Sequence, residues 1–380
     1  MIKLPTIEDA GDIAGKHVLL RLDLNTPVTD GKVADPYRID QAIPTIDMLR
    51  LKKAKTIIIA HTEAQDKGQS NTTLLPMWDY LNGFVKLQFA KDLFSAETIK
   101  LVAEMEDGDV LMLENLRSNP GEKANDLDFA KQLAHYADLY VNEAFSVSHR
   151  THASVVGVPR LLPSYAGPLF INEVEHLSKA FEPSHPFLFI LGGAKFDTKL
   201  PLIEKYLLKA DSVAVVGALA TNIFKNQGFE VGTSLVAQGE FGIDEMLKNP
   251  KFVVPTDVTV KKPDGTMEIK KAGEVNKDDY IGDVGSETVE TLGELVKKAS
   301  FIVWNGPLGN YEAGFTEQTE KLAEIIAESG ATTIVGGGDT LASIEKLGLM
   351  DEFTFASTAG GAMLDFLVNE TLPGIEALKK

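Results

Sequence analysis

Cysteine is absent from the chain, which excludes disulfides and thiolate metal sites and fits a reducing compartment. Positive charge is scarce: 37 Lys and Arg stand against 55 Asp and Glu, a formal charge of −18. Such a balance repels phosphate backbones and anionic lipid, so nucleic acid and membrane partners are not expected, and any anionic ligand needs a local basic site. Long apolar runs are missing, since none approaches the roughly 20 residues of a membrane span. The opening MIKLPTIEDAGDIAG lacks a basic-then-apolar signal pattern, so a cytoplasmic location is expected. Two nucleotide-binding signatures are also lacking. No GxxxxGK followed by Ser or Thr occurs, and no clean GxGxxG with its later acidic partner, which argues against an ordinary P-loop enzyme and a dehydrogenase. Asn71-Thr72-Thr73 matches a glycosylation acceptor, but without a secretory signal it reads as a polar loop.

What is present is a 380-residue chain, 44% hydrophobic and 24% charged, long enough for two lobes at roughly 150 residues per domain. Short β-branched runs such as TIIIA (56–60), DVLML (109–113), FLFIL (187–191), SVAVV (212–216) and FIVW (301–304) alternate with amphipathic stretches at 38–53, 126–136, 199–210 and 316–329. That rhythm predicts repeated βα units and mainly parallel sheets covered on both faces. Helices are expected to begin or bend at Pro44 and Pro201. The segment GVPRLLPSYAGP and the helical pattern after it (157–186) read as the interdomain connection. KKPDGTMEIKKAGEV (261–275) reads as a hairpin turning at Pro263-Asp264-Gly265.

In HVLLRLDLNTPV (17–28) a strand carries Arg21, Asp23 and Asn25 at alternate positions, so three hydrogen-bonding groups share one face at its carboxyl end. All six arginines lie in the first 160 residues, and Arg21, Arg38, Arg117 and Arg150 fall at strand ends or a helix start. His61, His149 and His152 occupy similar edges. Guanidinium forks suit carboxylate and phosphate, so this half predicts a pocket for a small, multiply anionic molecule. Glycine is distributed the other way, nine before residue 186 and twenty-three after it. LGGAKFDTK (191–199), IVGGGDT (334–340) and STAGGAMLDFL (357–367) each run from strand to glycines to helix. Any one could be a structural turn, but three together suit nucleotide phosphates, which backbone N–H groups at helix starts can cradle. Lys195 and Lys199 would share a face if their segment is helical. An anion pocket in one lobe and a nucleotide site in the other predict phosphoryl transfer, with closure as part of the chemistry.

HVLLRLDLNTPV resembles a signature of the phosphoglycerate kinase family, as do LENLRSNPGEKANDLDFAKQLAHYADLYVNEAF, SHRTHASVVGVP, ILGGAKFDTKLPLIEKYL, WNGPLGNYE, VGGGDT and STAGGAMLDFL, in the family's order. The resemblance spans essentially the whole chain. It implies two Rossmann-like three-layer α/β/α lobes joined by a helical hinge. A phosphoglycerate-binding domain would cover 1–170 and a nucleotide-binding domain 171–369, with a last helix near 370–380 packing back on the first. The implied reaction moves phosphate between 1,3-bisphosphoglycerate and ADP, giving 3-phosphoglycerate and ATP with Mg²⁺, in a monomer. By the same resemblance Asp23, Asn25, Arg38, His61, Arg117 and Arg150 would hold phosphoglycerate, and Arg21 would brace the strand through a salt bridge. Gly192, Gly193, Lys195 and Lys199 would meet the nucleotide phosphates. Glu312 would meet the ribose and Asp339 the Mg²⁺, with Thr340 beside it. Gly217, Pro307, Gly336, Gly337 and Gly338 would complete the nucleotide site, Asn305 and Gly306 shaping it with Pro307. Arg38, Lys195, Lys199 and the N–H groups near Gly337 and Gly360 would stabilise the transferring group.

Where the family's Ser-His-Leu-Gly-Arg-Pro is expected, this chain has AHTEAQ (60–65), with Ala64 in place of the arginine. Lys67 or Lys91 could compensate, and Glu63 could select a different acid. Ser118 and Ala359 are further departures, and Ala359 would matter if its position requires positive φ. Three readings therefore stand: a kinase with an altered acid site, a nucleotide-binding paralogue of little activity, and a kinase for a related acid.

Overall fold

The structure, a computed structural model, describes residues 2–63, 72–239 and 241–379. The chain divides into two compact units, 1–175 with 371–380, and 176–370. In the first unit the strands are β1 (His17–Arg21), a two-residue ribbon of β2 (Val28–Thr29) and β3 (Lys32–Val33), then β4 (Lys55–Ile59), β5 (Gln88–Ala90), β6 (Val110–Leu113), β7 (Leu139–Asn142) and β8 (Ser164–Ala166). Six of them form a parallel sheet in the order β5-β6-β4-β1-β7-β8. Leu20 pairs with Ile58 on one side and Val141 on the other. Val18 to Arg21 are all buried, as a central strand covered on both faces requires.

The helix Tyr37–Leu51 presents Ile39, Ala42, Ile46 and Leu49 to that core at three- and four-residue spacing. Burial contributes about 1.5–3 kcal/mol for each of the Ile and Leu side chains and less for Ala42. Pro44 lies inside this helix, and Pro201 inside the helix Phe196–Lys209, so neither proline begins its helix, and each ring removes one backbone donor within it. The segment at 157–186 is more than a connection, because β8 adds an edge strand beside β7 before the helix Pro168–Ser178. Residues 371–380 return to the first unit, where Gly374 N–H donates to the Ser148 carbonyl at 2.8 Å.

The second unit repeats the design with β9 (Phe187–Leu191), β10 (Ser212–Val215), β11 (Phe252–Val253), β12 (Asp257–Lys261), β13 (Met267–Lys271), β14 (Tyr280–Val284), β15 (Phe301–Asn305), β16 (Thr332–Gly336) and β17 (Phe355–Ser357). The parallel sheet runs β11-β10-β9-β15-β16-β17. An antiparallel sheet β13-β12-β14 contains the expected hairpin, whose Gly265 takes φ +88°. Among the described residues no helix is long and apolar enough to cross a membrane.

Candidate active site

In the first unit β4 and β6 lie on one side of β1 and β7 on the other. Their carboxyl ends therefore flank the crevice where strand order reverses, the usual ligand position in open α/β sheets. Leaving β1, the Asp23 carboxylate accepts from Arg38 Nη1 at 2.8 Å and Ser146 Oγ at 2.5 Å, and its other oxygen accepts from Asn25 N–H at 3.0 Å. Asn25 Oδ1 accepts from Glu63 N–H at 2.9 Å. Glu63 then lays a single oxygen, Oε1, on both Arg117 Nη1 and Arg150 Nη1, the latter at 3.2 Å. The Arg117 hydrogen bond, with Arg150 behind it, holds the Glu63 carboxyl below the usual range. Asp23, Asn25, Arg38, Arg117 and Arg150 thus belong to one hydrogen-bonded set that also contains Glu63.

Two members of this edge have donors without acceptors. The Arg117 side chain is 7% exposed, and its Nε and Nη2 are buried with no hydrogen-bond partner among the described residues. Arg21 Nη2 donates to His61 Nδ1 at 3.0 Å, which leaves the ring proton on Nε2, also buried and unpartnered. Burial, then the charges of Arg21, Arg117 and Arg150, push the His61 ring far below its ordinary pKa, so it stays neutral. His152 is pushed down to about 4 by burial and the same arginines.

Arg21 differs from the expected salt bridge. Among the described residues it has no ion pair; Nε donates to Ser154 Oγ at 3.0 Å, and that hydroxyl donates to buried Glu122 at 2.6 Å. The acid that balances it is one hydroxyl away. Lys91 shares with Arg117 and Ser118 the wall of a polar cavity of about 450 Å³. Ala64 and Lys67 lie outside the described residues.

In the second unit β9, β10, β16 and β17 each lead through glycine to a helix on the same sheet edge. Gly217, Gly337 and Gly360 sit immediately before the helices Ala218–Asn226, Gly338–Lys346 and Gly361–Asn369, all with positive φ. Gly192 donates to the Asn305 carbonyl at 2.8 Å, and a Cβ there would stand 2.2 Å from the Pro307 carbonyl oxygen. Only a residue without a side chain lets these two loops touch. Ala359 is not among the positive-φ residues, so alanine there carries no left-handed strain.

The two lysines are not equivalent. The helix begins at Phe196, so Lys195 precedes it and is exposed, whereas Lys199 is 9% exposed. Lys199 Nζ donates to the Gly192 carbonyl, and among the described residues no carboxylate pairs with it. Burial pulls its pKa down to about 8. Asp339, in the first turn of Gly338–Lys346, is raised by burial and by Glu312. Thr340 Oγ1 beside it is buried, with no hydrogen-bond partner among the described residues. Gly336 and Gly338 flank Gly337, which approaches the Gly306 amide.

A cavity of about 390 Å³ opens beside these loops, with Gly193, Gly217, Pro307, Glu312 and Asp339 in its wall. Its other side is apolar and aromatic, including Phe224, Val258 and Tyr280. No motif pointed to these residues, or to Asp283 in the same wall, a carboxyl that burial pushes up to about 7. Among the described residues no cluster of three His, Asp or Glu could hold a metal. A single, exposed Asp339 suits a cation that arrives on phosphates and needs one protein carboxylate.

A sequence profile described as phosphoglycerate kinase matches residues 7–370. Phosphoglycerate kinase of Dictyoglomus turgidum is 40% identical over 97% of this chain and 96% of that protein. The solved structure of phosphoglycerate kinase from Coxiella burnetii superposes with TM-score 0.83 at 35% identity, covering 99% of both chains. That from Pyrococcus horikoshii gives 0.86 at 30%, covering 99% of this chain and 98% of the other. With two parallel α/β units, a basic edge on one and glycine loops on the other, the chain belongs to the phosphoglycerate kinase family, and it is an enzyme, a kinase.

Proposed function

We propose that the protein transfers a phosphoryl group reversibly between 1,3-bisphosphoglycerate and ADP, giving 3-phosphoglycerate and ATP in glycolysis, with a carboxyl group as acceptor in the reverse direction. The observation that carries this reading is the set of buried donors with no acceptor among the described residues, Arg117 Nε and Nη2 and His61 Nε2. Burying such groups unpaired costs about 1–3 kcal/mol each, a cost that an anionic substrate relieves. Arg38, Asp23 and Asn25 would hold the carboxylate and hydroxyl end, and Arg117, Arg150 and His61 the phosphate end. A carboxylate oxygen already carries the attacking charge, so no general base is required. It bonds to the γ-phosphorus as the bond to the ADP oxygen breaks, while Arg38, Lys195, Lys199 and N–H groups near Gly337 and Gly360 stabilise the moving charge. The purine would lie in the apolar cavity and the ribose at Glu312. Asp339 would hold Mg²⁺, which when bound neutralises phosphate charge. The formal charge of −18 favours small-molecule substrates over nucleic acid, and we read the protein as a cytoplasmic monomer.

A second reading, a kinase for a related acid, draws on Glu63 lying on the two arginines. Steady-state turnover of 3-phosphoglycerate with Mg·ATP, coupled to reduction of the product, decides between them. Robust turnover is expected. None, with ADP binding intact and recovery in Ala64→Arg, would overturn the first reading and make the altered loop its cause.

A further inference from the structure

The first unit holds an anion site already filled from within. Glu63 follows β4, its side chain is 48% exposed, and its backbone is anchored by Asn25 Oδ1 at 2.9 Å. Its carboxylate nonetheless lies on two guanidinium groups that come from other strand ends, Arg117 after β6 and Arg150 after β7. Both contacts go to the same oxygen, Oε1. A carboxylate facing a guanidinium can form two parallel bonds, but here, among the described residues, Arg117 uses only Nη1 and keeps Nε and Nη2 buried without partners. The site therefore has more donor capacity than its occupant uses.

We propose that Glu63 is an internal competitor for the phosphate end of the substrate, and so a specificity-determining residue that sets the affinity of this site for phosphorylated acids. The inference rests on the reading of Arg117 and Arg150 as ligands of that phosphate. A phosphate monoester brings three terminal oxygens where Glu63 offers one, so it can satisfy the idle nitrogens of Arg117 and replace Glu63 on Arg150. To do so it must displace the carboxylate, which is tethered and present at high local concentration. An acid with a weakly charged terminus would gain too little to displace it, and the site would discriminate against such acids by this competition.

The test is Glu63→Gln, which keeps the shape and removes the charge, with Glu63→Gly as a second variant lacking the side chain. The exposure of Glu63 makes both compatible with folding, checked by thermal melting. Inorganic phosphate is titrated calorimetrically into wild type and both variants, and KM for 3-phosphoglycerate is measured at saturating Mg·ATP. Both variants are expected to bind phosphate about tenfold more tightly, the weight of one charge-assisted hydrogen bond. KM should fall by a similar factor with little movement in kcat. Unchanged or weaker phosphate binding together with an unchanged or raised KM would overturn the proposal and make Glu63 an orienting member of the site. Tighter phosphate binding without 3-phosphoglycerate turnover in any of the proteins would support the competitor and overturn instead the choice of substrate.

Discussion

The two units meet anions in opposite ways. In the first, the cations are already matched with the protein's own acids: Arg38 with Asp23, and Arg117 and Arg150 with Glu63. In the second, Lys199 is buried against a carbonyl with no acid partner among the described residues, and Asp339 is an exposed acid whose pKa is raised by partial desolvation and by Glu312. An arginine edge can be assembled and kept charged without ligand because guanidinium does not lose its proton. A lysine and glycine edge stays incomplete, and on the proposed function the ligand would supply the missing charges. One unit would then exchange partners on binding, and the other acquire them.

The largest effects expected are on turnover. Arg38→Ala and Lys199→Ala should each lower kcat by about a hundredfold or more, as the loss of a well-placed stabilising group costs about 3 kcal/mol or more of barrier. Melting should change little in Arg38→Ala, because Asp23 keeps Ser146 and the Asn25 amide as partners. Turnover near normal in either variant would break the comparison at its root, since that unit's cation would then be dispensable.

Next in size is a stability effect that the units share. Glu143 follows β7 and accepts from Thr45 Oγ1 and Phe170 N–H, and burial pushes its carboxyl up to about 7 against those bonds. Asp283, inside β14, is likewise raised to about 7, with N–H groups of Val284 and Gln318 on it. A carboxyl raised in the folded state keeps its proton when the unfolded chain has lost it. Its contribution is therefore complete below the unfolded value near 4 and is lost as pH rises through about 7. Between pH 5 and 8 each site should remove up to about 3 kcal/mol of stability. Calorimetric melting across that range should show a falling Tm, with a flatter profile in Glu143→Gln and in Asp283→Asn. A slope unchanged in both variants would assign the pH dependence elsewhere.

How far the site could be read from sequence follows the same division. The strand in HVLLRLDLNTPV was legible from its apolar alternation, but it ends at Arg21, so Asp23 and Asn25 come from the loop beyond it and not from the strand face the period of two predicted. The glycine loops were legible because strand-glycine-helix order is local. What stayed hidden depends on residues distant in the chain. Arg21 finds its acid through Ser154, 133 residues away, so no spacing rule could distinguish that relay from a direct salt bridge. The strand β8 has only three residues, in a proline-rich stretch, too short to show alternation. The four-residue spacing of Lys195 and Lys199 suggested equivalence, yet the helix starts between them. Phe224, Val258 and Tyr280, from a helix and two strands of the small sheet, form an apolar wall that carries no motif, because an apolar lining assembled from separate elements has no fixed spacing in sequence.

The smallest expected effect separates the two units most sharply. Lys199 has a pKa of about 8 because burial disfavours its charge. In the free protein at pH 8 it is therefore about half protonated, while the phosphates of bound ADP would favour the charged form and return it toward its ordinary value of 10.5. ADP binding at pH 8 should then take up about half a proton, and at pH 6, where Lys199 is already charged, almost none. Calorimetric titration in two buffers of different ionisation enthalpy measures this directly, and Lys199→Met should abolish the uptake. Phosphoglycerate binding to the first unit supplies the control: its arginines are charged at both pH values, so uptake attributable to its cations should be near zero. Equal uptake for both ligands would mean that the second unit is no more incomplete than the first. Uptake confined to ADP and lost in Lys199→Met would identify the buried lysine as the group whose charge the nucleotide completes.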